Sequence, residues 1–154
     1  MNIHIKLDST GLISGANAAN KGASSIRAAI NRKGSAQIIL ATGTSQFAML
    51  EALAANHDLD WSKCSVFHLD EYIGLSQQND VPLDAITMSI TQIMKSRTII
   101  CTVDGARKAD AVLVSIEGPL DVRSPASILR KHSDVWLFLD RLAGSKLNRS
   151  AFNN

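Results

Sequence analysis

Asp70 and Glu71 stand side by side at the end of an apolar run, CSVFHLD, and the chain's single tyrosine, Tyr72, follows them. In open α/β sheets the ligand crevice lies beyond the carboxyl ends of the strands, and a carboxylate placed there can take up and return a proton. Strand alternation puts His68 and Asp70 on one face and Leu69 and Glu71 on the other, so the two acids are expected to have different tasks. A solvated strand end with Tyr72 packed beneath it fits the same residues. Two other places suit an anion. In ILATGTSQ, residues Thr42, Gly43, Thr44 and Ser45 lie between an apolar run and a helix start. Backbone N–H groups and the helix dipole favour a phosphate there. The alternative is that Gly43 only permits a turn and Ser45 only caps the helix. In DGARKADAV, Arg107 and Lys108 occupy the first turn of a predicted helix, where cations oppose the macrodipole. A bound anion would offset that cost; otherwise Asp104 and Asp110 neutralise an ordinary solvated turn.

The elements that must position these residues alternate along the chain. A helix capped by Ser14 is predicted to run through Ile26 and Ile30 to a stop at Lys33 and Gly34, with Gly22 as its weak point. QIILAT reads as a short strand buried on both faces, and apolar residues recur at helical spacing from Gln46 to Asn56. CSVFHLD supplies the next strand, and AITMS, RTIICTV and DVWLFLD are further candidates. Helices fit 90–95, 106–117 and 125–131, the last with Ser124 as cap and Pro125 in its first turn. Such alternation predicts an α/β domain with a largely parallel sheet.

Bulk composition narrows the function classes. The 154 residues are 45% hydrophobic and 19% charged, enough for one core and a single domain over 1–154. A net charge of +2 without a basic stripe, and aromatics at 5%, argue against a nucleic-acid partner. No stretch approaches the ~18 apolar residues of a membrane span, and MNIHIKLDST lacks a charged start followed by an apolar run. A cytoplasmic protein with no membrane partner is expected. Cys64 and Cys101 sit alone in apolar runs, which suits reduced core thiols better than a disulfide or a metal site.

The runs IILATGTSQFAML, DWSKCSVFHLDEYIGL, VPLDAITMSITQIMKSRTIICTVDGARKADAVLVSIEGPL and PASILRKHSDVWLFLD resemble the glucosamine-6-phosphate deaminase (isomerase) family along most of the chain. The neighbouring 6-phosphogluconolactonases share the fold, but DEYIGL looks like the deaminase branch. The resemblance implies a three-layer Rossmann-like sandwich that converts glucosamine 6-phosphate to fructose 6-phosphate and ammonia, without metal or organic cofactor in the chemical step. By the same resemblance Asp70 is the proton shuttle and Glu71 supports it. Thr42, Gly43, Thr44 and Ser45 match the family's phosphate loop, and Lys108 matches its phosphate-contacting lysine.

One departure changes what this implies. Members of that family continue after the acidic strand with a long central segment that supplies a histidine and acids for sugar-ring opening and an arginine for the phosphate. Here the chain reaches Asp80, Val81 and Pro82 after only SQQN, so residues 76–80 read as a seam and the fold as truncated in the middle. None of the chain's four histidines lies in such a run; His68, on one face with Asp70, is a remote stand-in. The remaining strands are expected either to re-pair as one sheet of about four or five strands, within the usual range, or to cover an open edge by homo-oligomerisation. Residues 146–154 are expected to fray. Four functions follow as alternatives: a deaminase with impaired turnover, a non-catalytic phosphosugar-binding module, a decayed copy, and a lactonase-like hydrolase.

Overall fold

In the computed structural model, which describes residues 3–73 and 84–152, the chain opens on a strand that the sequence reading passed over. β1 (Ile3–Asp8) alternates, with Ile3 and Ile5 buried and Lys6 exposed. α1 (Gly11–Lys33) follows. Its cap is Thr10, whose hydroxyl accepts the Ile13 N–H at 3.3 Å, rather than the expected Ser14, which lies one turn inside and is buried. Both residues offer a hydroxyl at a helix start; only Thr10 has the extended backbone that a capping residue needs. Gly22 does not break the helix, and it faces Leu53 and Ile100. Gly34 ends it in the left-handed region, at φ 78°, with its N–H on the Ile30 carbonyl at 2.7 Å.

Next come β2 (Ala36–Leu40), a 3-10 turn (Thr44–Gln46), α2 (Phe47–Ala54) and β3 (Cys64–His68). After a bend at Leu69, β4 (Asp70–Ile73) pairs antiparallel with β5 (Asp84–Thr87). The chain continues through α3 (Ile90–Ile93), β6 (Ile99–Val103), a 3-10 turn (Ala106–Lys108), α4 (Ala109–Glu117), a 3-10 stretch (Pro125–Lys131) and β7 (Val135–Asp140). The helix expected at 125–131 is therefore of the tighter kind, and Ser124 makes no capping bond. The expected seam at 76–80 lies outside the described residues.

β7 is the centre of a parallel three-stranded sheet, β1–β7–β6, in which Ile5, Leu137 and Cys101 share one row. Alternation along β7 divides the core. Phe138 joins Ala18, Ala19 and Ala23 of α1 and Leu53 of α2. Leu137 and Leu139 face the other way, toward Val112 and Ile116 of α4. Helices therefore cover both faces, giving the expected three layers. The last described residues are not loose: Leu147, Ala151 and Phe152 pack on this second core, and the Asn148 N–H donates to the Glu117 carboxylate at 2.7 Å.

The strands do not close into one sheet of four or five. β2 and β3 form a separate parallel pair, and an apolar cavity of about 350 Å³ separates Ile39 and Leu40 of β2 from Ile99 and Ile100 of β6. α1 packs on both β2 and β6, so one helix spans the interval. Ile90, Ile93 and Leu129 also line it. The run AITMS, expected in the parallel sheet, pairs instead with β4 as a ribbon.

Candidate functional site

The two anion-binding candidates are built onto one strand end. Beyond β2 the chain exposes Thr42, Gly43 and Thr44 and half-buries Ser45. Thr102, buried near the end of β6, holds this loop: its hydroxyl lies 2.9 Å from both the Ser45 carbonyl and the Gln46 side-chain oxygen. Gln46 Nε2 returns a bond to the Thr102 carbonyl at 3.1 Å. Gln46 and Thr102 were missed in the sequence, where neither carries a motif.

The plain alternatives for this loop fail on geometry. Gly43 has φ −66° and ψ 153°, a conformation open to any residue, so the turn does not need glycine. A Cβ there would meet nothing within 4 Å. Ser45 caps neither the 3-10 turn nor α2; its hydroxyl accepts from Gln46 Nε2 at 3.2 Å.

β6 then leads to the second candidate. Gly105 turns the chain at φ 82°, where glycine is required. Its N–H donates to both carboxylate oxygens of Asp140, at 3.1 Å each, and Asp140 Oδ1 also accepts the Ala143 N–H at 2.7 Å. Asp140 is 8% exposed and ends the central strand, so the segment carrying Arg107 and Lys108 is anchored in the core. On its other side Asp104 lies against the start of α1, 3.1 Å from where a side chain at Gly11 would begin. Lys108 is exposed and immediately precedes α4. The Asp110 carboxylate is paired with Lys146 Nζ, at 2.5 Å on the surface. Among the described residues neither Arg107 nor Lys108 has a carboxylate partner.

Asp70 and Glu71 sit at the end of the other parallel pair. His68 is in register with Leu40, and the Leu69 N–H extends that pairing to the Leu40 carbonyl at 2.8 Å. The Met88 N–H binds the Leu69 carbonyl at 2.9 Å. Backbone bonds on both groups therefore hold the bend, and Asp70 begins β4 instead of finishing β3. The bend cancels the expected alternation: His68 Nδ1 meets Glu71 Oε1, the acid predicted for the opposite face. Glu71 thus contacts His68, and Asp70 is exposed. The side chain of Tyr72 lies outside the described residues. Among the described residues no three His, Cys, Asp or Glu side chains gather as metal ligands would. Cys64 and Cys101 are free and partly buried. Burial pushes the Cys101 thiol up to about 11, which suits a packing group rather than a nucleophile.

No family model matches the chain. Curated relatives do. A glucosamine-6-phosphate deaminase of Streptococcus agalactiae is 48% identical over 69 residues, 45% of this chain and 30% of that protein. Those of Lacticaseibacillus paracasei and Clostridium novyi are 47% identical over 74 residues and 46% over 72. The chain matches only about 30% of these relatives' length. Among solved structures, a monomeric glucosamine-6-phosphate deaminase of the NagB superfamily superposes with a TM-score of 0.82 at 21% identity, over 92% of this chain and 99% of that one. A putative 6-phosphogluconolactonase of Neisseria gonorrhoeae gives 0.79 at 13% identity, over 90% and 99%. The resemblance read from the sequence is borne out over part of the chain, and the fold is the one these two solved structures share. No helix among the described residues is long and apolar enough to cross a membrane.

Proposed function

We propose that the chain binds an aminosugar 6-phosphate as the glucosamine-6-phosphate deaminases do, with the phosphate at Thr42, Gly43, Thr44, Ser45 and Lys108, and turns it over slowly or not at all. The observation that carries this reading is the bonding of the 42–46 loop to Thr102, six residues before Lys108 on the same strand exit. Two helix starts and one ammonium then converge on a dianion, each contributing favourable charge. Gly43 fits the same reading, since neither turn nor packing explains it and the absent side chain lets a phosphate approach the backbone.

In deamination the open-chain aldose loses its C2 proton, passes through an enolamine and is protonated at C1 to leave an imine at C2, to which solvent water adds so that C2 becomes the ketone and nitrogen leaves as ammonia. One carboxylate, Asp70, accepts the C2 proton and returns it at C1. Glu71 contributes by fixing His68 beside it. Nothing in this set opens the pyranose ring, which is why slow turnover is proposed: only the small open-chain fraction of the substrate would react. The 6-phosphogluconolactonase likeness extends to the fold alone.

Thermal shift and ammonia release on the whole chain test the reading together. Glucosamine 6-phosphate should raise the melting temperature, and Lys108→Ala should abolish the shift. Any ammonia released should disappear in Asp70→Asn, which keeps the shift. A melting temperature unmoved by the ligand in the unmodified chain removes the phosphosugar site.

A further inference from the structure

The walls of the cavity between β2 and β6 are pinned from outside it. Gln46, before α2, lines it and is held at both ends of its amide by Thr102, Nε2 on the carbonyl at 3.1 Å and the side-chain oxygen on the hydroxyl at 2.9 Å. Between α3 and β6, Ser96 and Thr98 line it as well. The Ser96 carbonyl lies 2.7 Å from His132 Nε2, and the Thr98 hydroxyl donates to Asp134 Oδ2 at 2.6 Å. A pocket whose walls are bonded to the rest of the fold is preformed, and at about 350 Å³ it falls within the ~300–1,000 Å³ of small-molecule sites. Ile90 and Ala126 belong to the lining and are exposed, so the cavity is reachable from solvent.

The lining also decides what can enter. Among the described residues none that lines the cavity is charged, and none of the buried polar atoms left without a partner belongs to it. A water needs about two to four polar partners to settle, and the amide of Gln46 and the hydroxyl of Thr98 are already engaged. An ion entering here would lose its hydration and find no counter-charge. Since a dry cavity of ~150 Å³ takes one benzene ring, one of about 350 Å³ suits roughly two fused rings. We propose that this cavity is a binding site for a neutral, apolar molecule with a two-ring hydrocarbon skeleton. Bound there, it touches Ile39 and Leu40 of β2 and Ile99 and Ile100 of β6 at once. Among the described residues no ladder joins those two strands, so the occupant ties the β2–β3 pair to the three-stranded sheet.

Naphthalene is the probe, with naphthalene-2-sulfonate as its charged counterpart, on the whole chain carrying carbon-13 methionine methyls. Naphthalene should raise the melting temperature and displace the methyl signals of Met49 and Met94, which line the cavity and would lie beside an aromatic ring. The sulfonate should do neither. Ile39→Trp, which places a ring in the cavity, should keep the far-ultraviolet circular dichroism of the parent and lose the response to naphthalene. If that variant loses its dichroism, the methionine signals of the parent decide. Met49 and Met94 signals unmoved at the solubility limit of naphthalene overturn the proposal. So does an equal response to the sulfonate, or a naphthalene shift that survives in a folded Ile39→Trp.

Discussion

At the scale of single residues, two glycines separate backbone need from ligand need. Gly105 sits at φ 82° with its N–H on Asp140, and Gly43 sits at φ −66° with open space where a side chain would go. Gly105→Ala should therefore cost about 1–2 kcal/mol, the penalty of a left-handed L residue. Gly43→Ala should be neutral or stabilise by about 0.4–1 kcal/mol through a less flexible unfolded chain, while weakening affinity for glucosamine 6-phosphate. Urea unfolding and ligand titration of the two variants check the pair, and equal stability losses would contradict the argument. The two loops were legible as loops in the sequence because glycine and hydroxyl residues between an apolar run and a helix start form a local pattern. Thr102 and Asp140 were not legible. Their bonds span 56 and 35 residues, and no local signature marks a side chain whose partner is that distant.

At the scale of elements, α1 is the part on which the rest leans. It packs against α2, β2, β6 and β7, and small residues on one face, Gly15, Ala18 and Ala23, make that closeness feasible. A side chain at Gly15 would start 2.7 Å from Ala48 Cβ and 2.9 Å from the Met49 backbone nitrogen. Backbone cannot yield as a flexible side chain does, so Gly15→Ala should cost about 1–3 kcal/mol by forcing the helices apart. The thermal shift proposed for glucosamine 6-phosphate should persist, because the 42–46 loop is anchored to Thr102 instead. Chemical denaturation compared with Gly22→Ala, which faces contacts at 3.7 Å and beyond, isolates the close approach. The sequence placed this helix and its glycine stop but chose the wrong cap, since Thr10 and Ser14 are chemically alike and only backbone conformation distinguishes them. It passed over β1, although the alternation of IHIKLD carried the signal.

For the whole molecule, what matters is that the sheet is divided. CSVFHLD was read as a buried strand because apolar runs usually lie inside parallel sheets. Burial, however, is decided by what stacks on a strand, and β3 has little stacked on it. Unequal local stability follows. β7 is paired on both edges and covered on both faces, with Leu139 fully buried, so its amides exchange only when the whole domain opens. β2 and β3 hold one ladder between them, beside the 350 Å³ cavity, and the β4–β5 ribbon holds another without a third strand. Two-stranded units of this size are marginal alone. Hydrogen exchange by mass spectrometry should rank protection as 135–140 above 36–40 and 64–68, with 70–73 and 84–87 last. Equal protection in both parallel units would mean that the interval between β2 and β6 closes in solution, and the division would then not be a property of the folded chain.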